Sequence, residues 1–502
     1  MYRPYLTWLT WIGILTLALF LRLEGLTDRP IHADEATGAR LLAQRLEGQD
    51  YTFNAKHFHG PLLSLSAQPI AGIAGEGDWA TLTLGTLRLS PVLAGICLVL
   101  TPLLWQRRIG AAAALAAGAL LATSPLLVYY NRMYIHESWL ALFGMLSFAA
   151  IFRLLKKPDS VNGLLAGLGL GLMFATKETF AISVISWFAA AGTVYLYLAS
   201  ERPKLSSYWK PCLLLGITVA LVSGFLYSDG FRHSKGVVDA VRTFFVYETT
   251  AGHEKAITYY LQLLMWPKSA LGTWWSEALI PLLAIFALIY AFSKKVQIRP
   301  LIIFLSVSVF AHLSIYSLIA YKTPWLMLLP WSLACLLAGV AFSGWAEKLK
   351  WNRITLILLL LTGLSYQINQ SLLANGRYAN DARNPYAYVP TSQDAPRIEV
   401  WLSQLAAMPD APSLEPIAVV GQEYWPLPWY LRAFKTIGYW PVPPPELPSF
   451  PLVFAMPAQS ADCNDSLFDT HTALPRGLRS EVSVTLYLRN DLWNQWMQQP
   501  GR

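Results

Sequence analysis

Long apolar runs separated by short polar breaks fill most of this chain. A membrane-spanning helix needs about 20 mainly apolar residues at about 1.5 Å rise each. Runs of that kind lie at 5–23, 84–105, 111–130, 138–155, 160–176, 179–199, 211–228, 277–293, 299–320, 325–343 and 353–370, which predicts eleven transmembrane helices. The first run is long and no small-residue cleavage site follows it, so it reads as a span and not as a signal peptide. After residue 370 the apolar stretches shorten and prolines gather, as at Pro441, Pro443, Pro444 and Pro445. There 417–420, 452–454 and 482–488 read as strands, and 393–407 and 491–498 as short helices. Residues 371–502 are therefore expected to form a small α/β domain beside a transmembrane domain over 1–370. No internal repeat of the kind that marks many transporters is visible.

Composition sharpens this reading. Of the 502 residues 55% are hydrophobic and 14% charged, against about 25% charged in soluble domains. That excludes a purely soluble enzyme and a disordered chain. The abundant Trp, Tyr and Phe suit a protein with many membrane–water boundaries. The net charge of +8 is explained by position. Arg3, Arg107/Arg108, Arg153/Lys156/Lys157, Arg202/Lys204/Lys210, Lys294/Lys295/Arg299 and Lys348/Lys350/Arg353 occupy short segments that alternate with the spans. The same segments hold few acids (Asp159, Glu201, Glu347). Basic short loops mark the cytoplasmic side, so the N-terminus is expected inside and the C-terminal domain outside, in a multi-pass protein of the plasma (inner) membrane. Loops 24–83 and 229–276 then lie outside. The charge is a topology signal: the partner is a lipid bilayer and no nucleic acid is expected. Cys97, Cys212, Cys335 and Cys463 offer neither a disulfide framework nor a metal knot.

Polar groups at helix mouths need an explanation, and here they gather on the outer side. His32-Ala-Asp34-Glu35 follows the first span and opens an amphipathic stretch. Asp34 reads either as a helix cap or as a carboxylate that deprotonates an acceptor or holds a metal; Glu35 beside it also suits a helix start. In Lys56-His57-Phe58-His59-Gly60-Pro61 the two histidines are too weakly spaced for zinc; proton sharing, phosphate contact or loop anchoring are the alternatives. Arg132, His136 and Glu137 join the third and fourth spans, Lys177 and Glu178 the fifth and sixth, and Lys322 the ninth and tenth. Each basic residue alone suits local pairing or snorkelling. Together, Arg132, Lys177 and Lys322 suit an anionic headgroup, with bidentate Arg and point-charge Lys contacts to phosphate.

An acidic pair after the first span, a short outer loop with Arg and Glu after the third, about eleven spans and an outer C-terminal domain resemble the GT-C superfamily of integral-membrane glycosyltransferases. The finer pattern is similar to the flippase-activity-associated proteins of archaeal and bacterial N-glycosylation, at His32-Ala-Asp34-Glu35-Ala, His59-Gly60-Pro61, Tyr321-Lys322-Thr323-Pro324-Trp325 and Trp425-Pro-Leu-Pro-Trp429-Tyr-Leu-Arg432. The resemblance implies a polyprenyl-phosphate-linked sugar donor and inverting transfer on the outer face to a glycan, lipid or protein acceptor, with Asp34 at the family's catalytic acid. It also implies a divalent metal in some relatives, for which Asp34, Glu137 and His136 are the candidate ligands here. The expected site thus has Asp34 as base with Glu35 supporting it. Arg132, Lys177 and Lys322 are expected on the donor phosphate, and His57, His59, Glu137 and Glu178 on the acceptor or sugar side. The alternative function is a lipid-linked-sugar flippase, or its accessory protein, without transferase activity. In the tail, Tyr424, Trp425 and Trp429 read equally as sugar-stacking rings or as membrane anchors.

Overall fold

The computed structural model describes residues 4–498 apart from 50–52, 57, 247–251, 294–296, 344–349 and 409–411. All eleven apolar runs contain helix. Among the described residues, seven helices are long and apolar enough to cross a membrane alone, and a pair bent by 58°, Ala111–Thr123 and Pro125–Asn131, makes an eighth. Ser160–Thr176, Leu279–Ile289 and Pro324–Val340 are shorter apolar helices. The bend has a local cause. Pro125 has no N–H to continue the first helix, and Glu277 satisfies the break: its carboxylate accepts from Ser124 Oγ at 2.5 Å and Leu126 N at 3.0 Å, and from Trp331 Nε1 at 2.8 Å.

The two long loops that pack on the side of the tail, called outer below for that side, carry secondary structure that the sequence pattern does not mark. Residues 24–83 carry two helices, Ala33–Leu46 and Leu62–Ala74, and 229–276 carry Ser234–Val246, Tyr259–Leu264 and a hairpin of Lys268–Ala270 with Thr273–Trp275. The last membrane helix runs to Asn375, and Tyr386 and Ala387 pack in the membrane core, so the tail's own layers begin at Ala395.

The tail is a five-stranded mixed sheet between helices. Its strands run in the order Ile437–Trp440, Ile417–Val420, Leu452–Ala455, Val482–Arg489, His471–Arg479. The first three are parallel and the last two antiparallel. Alternation along a strand sends Ile417 and Val419 towards helix Ala395–Ala406, and Ala418 and Val420 towards Cys463 and Leu467 of helix Ser460–Leu467. The first of these cores continues outside the tail. It includes Ile31, Ala36, Ala39 and Leu42 of the first outer helix and its entry, and Leu63 and Ala67 of the second. The tail and the outer helices are thus one packed body.

The first outer helix is also tied to the membrane part by a buried charge pair. Glu35, the third residue of the helix, closes a capping box: it accepts from His32 N at 2.9 Å, while His32 Nδ1 accepts from Asp34 N at 3.1 Å. The cap is therefore His32 with Glu35, and not Asp34. Glu35 also accepts two bonds of 2.8 Å from Arg88 and one of 2.9 Å from Tyr134 N. Both Glu35 and Arg88 are fully buried. Burial alone would raise the Glu35 carboxyl, but the Arg88 guanidinium, helped by Arg29, holds it well below the ordinary carboxylate range. Removing one partner of such a pair leaves a buried charge, which costs about 3–5 kcal/mol. Glu35→Ala is expected to lower stability by that amount in denaturation of the detergent-solubilised protein, while Asp34→Asn, one residue away, leaves the midpoint unchanged.

Candidate active site

The capping box fixes which of two adjacent carboxylates faces inward. Glu35 points into the packed layer, and Asp34 at the helix start stays open, its side chain 55% exposed. Three polar turns come together next to it. Gly60 packs its Cα against the end of helix Ser160–Thr176 so closely that a Cβ would stand 2.1 Å from the Ala175 carbonyl oxygen. That contact sets His59 beside the next turn, where its Nδ1 lies 3.0 Å from Glu178 Oε2. His136 closes the group: its Nε2 is 3.3 Å from the Gly60 carbonyl oxygen and its ring centre 5.1 Å from that of His59. Lys177 Nζ donates to Glu137 Oε1 at 2.6 Å, with both side chains largely buried.

These residues line one cavity of about 470 Å³. Asp34, His59, His136, Glu137 and Lys177 form one side. His253, Tyr321, Trp325 and Tyr388 form an aromatic wall, in which His253 Nδ1 and Tyr388 Oη are 2.5 Å apart. Glu423, Trp425 and Arg479 of the tail domain complete it. Arg479 lies 3.9 Å from Glu423 and donates from Nε to the Trp425 carbonyl oxygen at 3.1 Å.

Several expected members are placed elsewhere. Arg132 donates to the carbonyl oxygens of Leu21 at 2.9 Å and Gly25 at 2.7 Å, where helix Pro4–Leu23 ends. Lys322 is buried and donates from Nζ to the carbonyl oxygens of Lys255 and Ile319, the latter just after helix Arg299–Leu318. Both cations satisfy acceptors that helix C-termini leave open, and neither lines the cavity. Glu35 is spent on Arg88. Glu178 pairs with His59 behind the wall, and Lys177 donates to Glu137. His57 lies outside the described residues. The metal candidates do not form a donor set: Glu137 is engaged by Lys177 and His136 by Gly60. No group of three or more His, Cys, Asp and Glu that could hold a metal occurs among the described residues. Sequence reasoning missed His253, Tyr388 and Arg479, which no local motif marks. Tyr321, Trp325 and Trp425 were visible within the quoted motifs.

The buried turn has a pH signature. Burial, then His59 and Lys177, push the His136 imidazole well below its ordinary value. Burial alone would raise Glu178, but His59 and Lys177 outweigh it and lower the carboxyl. A depressed folded pKa stabilises the fold above the group's unfolded value and loses that contribution as pH falls below it. The thermal unfolding midpoint in detergent is expected to drop as pH falls below about 6.5, the ordinary imidazole value; His136→Asn flattens that first decline and leaves the more acidic one set by Glu178.

Comparisons with known proteins bear on the fold. A family model described as dolichyl-phosphate-mannose-protein mannosyltransferase matches residues 59–227, the stretch that holds His59, Glu137 and Lys177. No curated protein matches the chain in sequence. Among solved structures, ArnT from Cupriavidus metallidurans in the apo state matches at 15% identity and a TM-score of 0.66, over 98% of this chain and 99% of that one. The same protein bound to undecaprenyl phosphate matches at 16% and 0.64, over 96% and 98%. The archaeal oligosaccharyltransferase AglB from Archaeoglobus fulgidus, in complex with an inhibitory peptide and a dolichol-phosphate, matches at 12% and 0.50, over 98% and 77%. From the first membrane helix through the tail domain, this multi-pass membrane protein has the GT-C fold that its sequence led us to expect.

Proposed function

We propose that the chain is an inverting membrane glycosyltransferase that moves a sugar from a polyprenyl-phosphate donor to an acceptor on the extracytoplasmic face of the plasma membrane. The observation that carries this reading is the meeting of an open carboxylate, Asp34, with the largely buried Lys177 in one cavity at the ends of membrane helices. The comparisons support the donor class: ArnT has been seen with undecaprenyl phosphate and AglB with a dolichol-phosphate.

The chemistry is direct displacement. An acceptor hydroxyl or amide attacks the anomeric carbon from the face opposite the phosphate, and the bond from that carbon to the phosphate oxygen breaks. Asp34 takes the acceptor's proton as the new bond forms, help worth about 10²–10⁴ in rate. The polyprenyl phosphate leaves with the electron pair, and the Lys177 ammonium, oriented by Glu137, stabilises the charge developing there. His59, held by Glu178, and His136 border the sugar. Arg132 and Lys322 take no part, because helix-end carbonyls engage them. No step is routed through a metal, since of the three candidate ligands Glu137 is engaged by Lys177 and His136 by Gly60, which leaves Asp34 alone.

The flippase alternative needs a polar path through the bilayer interior. Among the described spans, His312 is such an ionisable group, but it is fully buried and bonded to Ser308 O at 2.7 Å and Ser183 Oγ at 3.1 Å.

The test is a reconstituted-vesicle assay with defined polyprenyl-phosphate sugars that scores transfer and transbilayer movement separately. Asp34→Asn is expected to cut transfer by about 10²–10⁴ with folding intact. Lys177→Met is expected to lower kcat, since its charge acts on the leaving phosphate. Unchanged turnover in Asp34→Asn, or lipid movement with no transfer in the unmutated protein, would overturn the proposal.

A further inference from the structure

Trp425 is a wall shared by two hollows. One face of its surroundings is the cavity with Asp34. The other is a separate cleft of about 480 Å³ between the first outer helix, the turn at 78–80 and the tail domain. Trp79, Tyr424, Trp425 and Tyr439 bring aromatic rings to this cleft, and Arg40 and Lys435 bring cations. None of these was absorbed by the transfer chemistry above.

The rings are held in place. The Tyr424 and Tyr439 ring centres are 4.9 Å apart, and Trp79 meets Trp429 edge-on at 5.6 Å. Arg40 sits 5.4 Å over the Trp79 ring. Tyr439 remains 41% exposed. Aromatic surface grouped in a polar-rimmed hollow marks an interaction site. The hollow is concave and formed between two parts of the fold, so a flat bilayer surface cannot fill it, which sets aside membrane anchoring for these rings. Its mixture suits a chain of pyranose rings, whose C–H faces lie on aromatic faces while their hydroxyls bond to guanidinium, ammonium and carboxylate groups.

The cleft is also tied to the chemistry. Arg479, on the catalytic side, holds the Trp425 backbone at 3.1 Å. A chain lying across the cleft therefore meets, at Trp425, the wall of the cavity that contains Asp34. The geometry points to a glycan acceptor subsite: several non-reacting sugar units of an oligosaccharide acceptor rest on Trp79, Tyr424 and Tyr439, and the terminal unit passes Trp425 to present its hydroxyl to Asp34. This rests on the transferase reading and narrows its acceptor from a glycan, lipid or protein to a glycan.

Binding, measured apart from turnover, tests it. Full-length protein in lipid nanodiscs is examined by saturation-transfer NMR with short linear hexose oligosaccharides and with an unglycosylated peptide as probes. Oligosaccharide protons are expected to receive saturation from the unmutated protein and equally from Asp34→Asn. Tyr439→Ala and Trp79→Ala are each expected to weaken that binding by about tenfold or more. Because Tyr439 is partly exposed, its variant decides the matter if Trp79→Ala misfolds. Absence of oligosaccharide binding, preference for the peptide, or binding unchanged in Tyr439→Ala would overturn the subsite. Oligosaccharide binding that persists in a protein without transferase activity would instead refute the proposed function and leave the subsite standing.

Discussion

The buried pair of Glu35 and Arg88 is the constraint on which the site depends. Arg88 belongs to a membrane helix and Glu35 to the first turn of an outer helix, and each is fully buried. A desolvated charge tolerates little displacement from its partner, so the outer helix has one position over the membrane helices. The same carboxylate accepts the Tyr134 amide and thereby fixes the turn that leads to His136 and Glu137. With Glu35 fixed inward, its neighbour Asp34 is left facing the cavity. One acid is consumed by structure so that the other can be presented.

A second layer of pairing shapes the electrostatics. Lys177 with Glu137 and Arg479 with Glu423 place a cation and an acid side by side around the cavity, and His59 meets Glu178 behind its wall. This differs from a cluster of three unopposed cations. Under the proposed function an anionic headgroup would meet a field that is locally balanced, with directionality set by each pair. The tail domain supplies part of this arrangement because it shares one hydrophobic core with the outer helices. Ile31, Leu42 and Leu402 in that core connect the position of Asp34 to that of Trp425.

Much of this was legible in the chain. The apolar runs were readable because length and composition alone set a membrane helix, and Asp34 stood out as a charge at a helix mouth. The strands 417–420 and 452–455, buried on both faces, read as continuous apolar runs. The two edge strands did not. His471–Arg479 contains Pro475 and a bulge after Gly477, features tolerated where one side of a strand is unpaired. Arg132 and Lys322 lie outside the cavity, which was not legible because sequence gives their depth but not the carbonyl groups within reach, and helix ends nearby offered acceptors. Arg88 gains its meaning only in the fold, since its partner lies 53 residues away in sequence. His253, Tyr388 and Arg479 reach the cavity through tertiary packing, which no local pattern records.

The most direct measurement is a structure of the protein with a polyprenyl phosphate bound in a lipid nanodisc. Phosphate density is expected within hydrogen-bonding distance of Lys177 Nζ, in the same cavity that Asp34 faces. Phosphate held at Arg132 or Lys322, or in a place separated from Asp34 by packed protein, would contradict it.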